Sequence, residues 1–275
     1  MKLNKNILKR VLIVTLWVIG LTGLAVLVSW TGYEENQIVC VKNNIDIKIA
    51  TDSNLYFVSQ PDIMEMIENK GKTVIGNNLC NVNANMLEKM INNYPSVRNS
   101  EVFKTIEGKL KINILQRIPV LRVFNKNNRS FYIDMDGKVM PLSPNYSAKV
   151  LVANGNIPDS CSINEDVTRF DSSLNTAAIN LYKLYLLASY IDKSKFWNSQ
   201  IAQIYVDENN DIELIPRIGQ HIIIFGDIDD RDEKFKKLML FYKKGLNYIG
   251  WNQYKTINLK YKNQIVCTKN NVKNG

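Results

Sequence analysis

The chain reads as an α+β protein: one N-terminal transmembrane helix, a small β-α-α-β-β domain, then a mostly antiparallel β domain with two packed helices. Three observations carry this. Twenty uncharged residues, VLIVTLWVIGLTGLAVLVSW, run from Val11 to Trp30. Two helix-period segments sit between strand-like runs in residues 45–118. Beyond them, alternating or wholly apolar runs broken by Asn, Asp and Gly dominate.

The apolar run is justified first. At about 1.5 Å per residue it spans roughly 30 Å, the thickness of a bilayer's hydrocarbon core. Lys2, Lys5, Lys9 and Arg10 precede it without an acid, whereas Glu34 and Glu35 follow it. The positive-inside rule puts the N-terminus in the cytoplasm and the rest outside. A cleaved signal peptide is the competing reading, but its apolar core is shorter and ends on a small-x-small site. Here the small pair near the end, Gly23 and Ala25, lies inside the run. Val39 before Cys40 does not suit a lipoprotein either. No second such run follows, so the chain crosses once.

Composition bounds the rest. Of 275 residues, 45% are hydrophobic and 22% charged, ordinary for a folded chain. Lys+Arg is 35 against Asp+Glu 26, a formal +9. Outside the membrane nucleic acid is not the partner. That surplus then serves proteins, anionic lipid, wall polymer or a solvated surface. A single His excludes a multi-His metal centre, and Cys40, Cys80, Cys161 and Cys267 form no CxxC pair.

The elements follow in order. Residues 1–10 are a cytoplasmic basic tail, 11–30 the span and 31–44 a polar stalk. Ile45–Thr51 alternates as a half-buried strand. Ser59 and Pro61 start a helix that runs to Gly71. Asn83–Tyr94 is a second helix, with Met86, Leu87, Met90 and Ile91 on one face. Val97–Thr105 and Lys109–Gln116 are strands around Glu107-Gly108. Arg117-Ile118-Pro119-Val120 marks a boundary, which gives domains over 45–118 and 119–266.

In the second domain Val120–Asn125 and Ser130–Met135 are strands around a polar turn, and Asp136-Gly137 turns into Lys138–Leu142. Lys149–Ala153 is a short buried strand. Asp171 caps a helix to about Ile191. Gln200–Val206, Ile212–Ile215 and His221–Phe225 are strands. A helix with an acidic start at Asp229–Glu233 turns Phe235, Leu238, Met239, Tyr242 and Leu246 inward. Tyr254–Val266 reads as one long alternating strand, and residues 267–275 as a disordered tail.

This arrangement resembles the bacterial cell-division family FtsQ, also called DivIB. The phrases that carry the resemblance are Lys109–Val120 (KLKINILQRIPV), Phe131–Gly137 (FYIDMDG), Lys149–Gly155 (KVLVANG) and Tyr254–Tyr261 (YKTINLKY). Their order and spacing give the weight, over nearly the whole chain. The small domain resembles the family's polypeptide-transport-associated (POTRA) domain, the larger one its β domain. The resemblance implies a non-enzymatic scaffold at the septum, in the inner membrane. It recruits and regulates septal wall synthesis through FtsB- and FtsL-type bitopic partners and needs no cofactor. It implies partner contact by strand pairing at Tyr254, Ile257, Asn258, Leu259, Lys260 and Tyr261. An alternating strand at the end of a fold can leave an edge that templates strand addition, which supports this independently. An interior strand is the alternative. On the edge reading, a charge at Tyr261 or Leu259 weakens capture and leaves the fold intact.

Other signals have plainer readings. Asp134-Met135-Asp136-Gly137 starts like a calcium loop but lacks the closing Glu, so it is a hairpin turn. The Asp227–Asp232 cluster is a helix start, and His221 a strand residue. No nucleophile elbow, Walker loop or SxxK motif occurs. A wall-processing enzyme remains the rival, testable at Asp134, Asp136 and Asp207; a POTRA-containing export accessory is a third reading. Lastly, NQIVCVKNN (36–44) and NQIVCTKNN (263–271) agree at eight of nine positions. Chance in a chain with 35 Asn accounts for this; the sharper alternative brings Cys40 and Cys267 together as a bridge.

Overall fold

A computed structural model describes residues 5–35, 38–50, 55–70, 74–144, 146–159, 161–169 and 176–270. Helix α1, Lys5–Glu35, contains one stretch, Leu12–Trp30, long and apolar enough to cross a membrane. The chain divides into two compact units, the first of which includes α1.

The first unit is a three-stranded sheet with two helices. Strands β1 (Ile45–Ala50), β2 (Val97–Lys104) and β3 (Leu110–Gln116) take the order β1-β3-β2, with β1 parallel to β3. Helix α2 is Gln60–Lys70 and α3 is Ala84–Asn92. Both start on capping side chains. Asp62 accepts from the Ser59 N–H at 2.8 Å and the Ser59 hydroxyl at 2.7 Å, a capping box in which Asp replaces the usual Glu. Asn83 accepts from the Met86 N–H at 3.0 Å. Ile63, Ile67, Leu87 and Ile91 on the helices and Ile47, Leu110, Ile112 and Ile114 on the strands are all buried.

Two boundaries differ from those read in the sequence. Residues 31–44 are not a stalk throughout. Helix α1 continues to Glu35, and the segment from Ile38 joins the first unit by backbone bonds from Leu79 N to Ile38 O (2.7 Å) and Cys40 N to Asn77 O (2.8 Å). Cys40 is fully buried there, an apolar contribution hidden among Asn and Lys in the sequence. The second unit takes in Leu55–Phe57 as well as everything from Gln116. Gln116 holds that segment: its side-chain oxygen accepts from the Phe57 N–H at 3.0 Å, and its amide donates to Leu55 O at 3.1 Å.

The second unit is built on one nine-stranded sheet of β4 (Pro119–Phe124), β5 (Ser130–Asp134), β6 (Val139–Met140), β7 (Leu151–Gly155), β8 (Ile201–Val206), β9 (Ile212–Pro216), β10 (Ile222–Gly226), β11 (Tyr254–Asn258) and β12 (Val266–Lys269). The order is β12-β11-β10-β9-β8-β7-β4-β5-β6. Most neighbours are antiparallel; β4–β7, β7–β8 and β10–β11 are parallel. Helices α4 (Thr176–Lys193) and α6 (Arg231–Phe241) pack on the sheet, with a short α5 (Lys195–Gln200) that the sequence pattern did not disclose. Ser194 caps α5 by accepting from the Trp197 N–H at 3.3 Å. The expected cap at Asp171 lies outside the described residues. The helices touch through the Tyr190 and Phe235 rings, stacked at 4.9 Å, and Trp197 lies 4.8 Å from Phe235. Past Phe241 the helix continues through a π-turn, Tyr242–Leu246, into α7 (Asn247–Ile249).

The start of this unit is pinned by a buried ion pair. Arg117 Nη1 donates to Asp134 Oδ2 at 2.8 Å. The other Asp134 oxygen accepts from the backbone N–H of Asp136 (2.9 Å) and Lys138 (2.7 Å). Asp134 therefore closes the turn in which Gly137 has φ +81°, and the turn is a hairpin, as read. Strand β7 begins two residues later than read and ends on Gly155, at φ +104°. A Cβ at Gly155 would stand 2.1 Å from Val206 O, so only glycine lets β7 and β8 approach here.

Candidate partner-docking edge

The long strand read over Tyr254–Val266 is two strands. β11 ends at Asn258, and the chain turns back as β12, antiparallel to it, with Ile257 opposite Cys267 and Asn258 opposite Val266. Several local interactions make the bend. Leu259 still donates to Ile224 O at 2.9 Å. Then the Asn258 side chain accepts from the Lys260 N–H at 2.9 Å, an Asx bond that competes with the ladder. The Lys260 stem lies over Gly226, whose φ of +74° and missing Cβ make the room: an added Cβ would meet Lys260 Cγ at 2.7 Å. The Lys260 ammonium pairs with Asp211, whose hydrogen bond and charge raise it above the usual lysine range. Lys237 Nζ donates to the carbonyls of Tyr261 (2.6 Å) and Lys262 (3.1 Å). Period-2 patterning does not register such side-chain latches, so the run looked continuous.

The read of residues 267–275 as a disordered tail is likewise corrected as far as Asn270. Residues 266–269 are strand, and Asn270 donates from its N–H to Gln253 O at 2.9 Å and from its side chain to Asn252 O at 2.8 Å.

The six residues expected at the contact separate into three sets by burial. Ile257 and Leu259 are fully buried, in the core with Phe225, Phe235 and Tyr242. Tyr254 is half-buried, its ring 5.8 Å from Phe241, and Asn258 is half-buried. Lys260 and Tyr261 are exposed, Tyr261 at 49%. The strand carrying three of the six, Tyr254, Ile257 and Asn258, is interior, since β12 covers its outer side. A charge at Leu259 would disrupt the core, contrary to the sequence reading. The one at Tyr261 would not.

Among the described residues, the edge strand without a further neighbour in the large sheet is β12. Strand sheets end twice, and the far end, β6, is closed by its own chain. Val139 donates to Glu165 O and accepts from Asn164 N, both at 2.9 Å, and Val167 N donates to Gly137 O at 2.8 Å. Among the described residues, β12 ends the sheet with only β11 beside it. Val266, Thr268 and Lys269 are exposed on it, with Cys267 half-buried. Lys255, Lys262 and Lys269 are exposed around this edge, and Val266 and Tyr261 supply apolar area. Sequence reasoning missed β12 because an Asn-rich stretch of four strand residues near the end carries little periodic signal.

The other candidate residues have structural duties. Asp134 is the fully buried partner of Arg117, and Asp207 accepts from the N–H groups of Asn209 and Asp211, both at 2.8 Å, as a turn cap. His221 is buried: its Nε2 lies 3.1 Å from the Tyr242 hydroxyl, and Trp251 flanks both rings. Burial lowers the imidazole's pKa, against a weaker opposing effect of the Trp251 carbonyl, and raises the Tyr242 phenol. A neutral imidazole and a protonated phenol therefore share this hydrogen bond. Among the described residues no three of His, Cys, Asp and Glu gather in a metal-binding arrangement. All four cysteines are free; Cys40 belongs to the first unit and Cys267 to the second. Burial, then the nearby Glu165 and Asp159 carboxylates, push the Cys161 thiol up to about 11, which keeps it protonated and unreactive.

The fold is a small αβ domain ahead of a large mixed sheet that, among the described residues, ends on β12. Residues 39–115 match the POTRA-like domain model, and residues 118–268, more than half of the chain, match the FtsQ/DivIB C-terminal related model. The chain belongs to the FtsQ/DivIB family, a family of non-enzymatic scaffolds, and its role lies in cell division. No curated protein matches it. The family implies protein partners, and the single apolar N-terminal helix fits a single-pass membrane protein at the septum.

Proposed function

We propose that this chain is a membrane-anchored division scaffold that captures a strand of a bitopic FtsB- or FtsL-type partner on β12. Leu12–Trp30 spans the inner membrane with the basic N-terminus in the cytoplasm, and both units lie outside. The observation that carries the reading is the contrast between the two ends of the large sheet: β6 is closed by residues 164–167, whereas among the described residues β12 has no neighbour beyond β11. Unpaired N–H and C=O groups on such an edge add a strand by main-chain hydrogen bonds, while flanking side chains give selectivity. Tyr261 and Val266 offer apolar contact, and Lys255, Lys262 and Lys269 favour a partner segment carrying acids. Tyr254, Ile257, Asn258 and Leu259 support the edge, and Lys260 and Tyr261 form its rim. No step of bond chemistry is part of this function.

Photo-crosslinking in living cells tests it. A photoreactive side chain at Val266, Thr268 or Tyr261 should capture a small bitopic division protein, and one at Met86, exposed on α3, should not. Capture from Met86 with none from the β12 positions would refute the assignment.

A further inference from the structure

We infer that the β2–β3 hairpin tip of the first unit, with Ile106 at its apex, contacts the bilayer surface beside α1. Thr105-Ile106-Glu107-Gly108 is a tight turn: Gly108 N donates to Thr105 O at 3.0 Å, and Gly108 takes φ +76°. Turn apices normally carry Asn, Asp, Ser, Pro or Gly. This one carries an isoleucine that is 96% exposed, beyond every other large apolar side chain described outside α1. Phe103, on the same hairpin, is 42% exposed.

The tether places this apex. A Cβ on Gly108 would stand 2.8 Å from Ile38 Cδ1, so the turn rests on the residue where the chain from α1 enters the unit. From Trp30 to Glu35 the helix rises about 8 Å, and three further residues reach at most about 11 Å. Ile38 therefore stays within about 20 Å of the hydrocarbon boundary, whose headgroup layer is itself roughly 6 Å deep. Val39 and Val41, in the same leading segment, are exposed too. The nearby charges do not oppose an anionic surface: Lys109 stands 3.8 Å from Glu107, Lys42 is paired with Glu68, and Lys104 donates to Cys80 O. The occupant of this apolar apex is thus lipid, held close by the chain's own anchor.

The inference rests on α1 being membrane-embedded, and the test separates the two. The full chain is reconstituted in vesicles of phosphatidylethanolamine and phosphatidylglycerol, carrying a diazirine side chain at position 17, 106 or 248. Tyr248, 86% exposed in the second unit, is the comparison for an accessible apolar position without that tether. Burying one isoleucine side chain favours the lipid-bound form by about tenfold, so position 106 should yield about tenfold more lipid adduct than 248. Adduct at 17 with none at 106, or equal adduct at 106 and 248, overturns the inference and leaves the anchor. Absence of adduct at 17 overturns both.

Discussion

Leu259 and Tyr261, two residues apart, should respond oppositely to substitution. Leu259 has no exposed surface and packs in the core beneath β10 and β11, whereas Tyr261 is 49% exposed beyond the bend. Leu259→Ala removes a fully buried side chain and should cost about 2–5 kcal/mol, the range of such truncations. For a domain of this size each kcal/mol moves the melting temperature by about 2–4 °C, so Leu259→Ala should lower it by about 4–20 °C. Tyr261→Asp touches no core contact, and Lys237 holds its backbone carbonyl, not its ring. Its effect on stability should stay within about 0.5 kcal/mol. If Tyr261 anchors a bound strand, losing its ring should weaken partner binding by at least about 2 kcal/mol, roughly thirtyfold. Near-ultraviolet circular dichroism of the detergent-solubilised chain reads the first quantity, and titration with purified partner the second. Equal melting temperatures for the two variants, or tight partner binding by Tyr261→Asp, would refute the division of the site into core and rim.

Two further outcomes are expected. Arg117→Ala leaves the Asp134 carboxylate buried without its ion pair and should destabilise the second unit by about 3–5 kcal/mol. Asp134→Ala should cost more, because it also strips the Asp136 and Lys138 N–H groups of their acceptor; urea unfolding of both single variants and the double measures the coupling. His221 has its pKa lowered by burial, so the unfolded chain binds the proton more readily. Stability should be fully present above the unfolded value of about 6.5 and fall as pH drops from there through the folded value. His221→Gln should flatten that slope in urea titrations between pH 7 and pH 5, and an unchanged slope would assign it to other groups.

Much of the architecture was legible where one local signal dominated. The N-terminal helix announces itself because its twenty uncharged residues carry a single uninterrupted apolar signal. The β-α-α-β-β order of the first unit followed from the Ser59 cap, the apolar face of Asn83–Tyr94 and the alternation of KLKINILQ, each written within a few residues. In the second unit the apolar strands and the inward face of α6 were similarly plain. The docking edge was less so. Three of the six residues expected there lie on β11, which the fold makes interior, and the exposed strand was hidden in what reads as a polar tail.

Local patterning, then, determined most of the helices and strands, where the long apolar helix lies, and that the C-terminal region is basic and alternating. Only the tertiary structure decided which strand is last. That choice rests on contacts between residues far apart in the chain: Lys260 with Gly226 and Asp211, Lys237 with the Tyr261 carbonyl, and residues 164–167 against β6. An edge is a property of what fails to pair with a strand, and no strand's own residues record the absence of a neighbour.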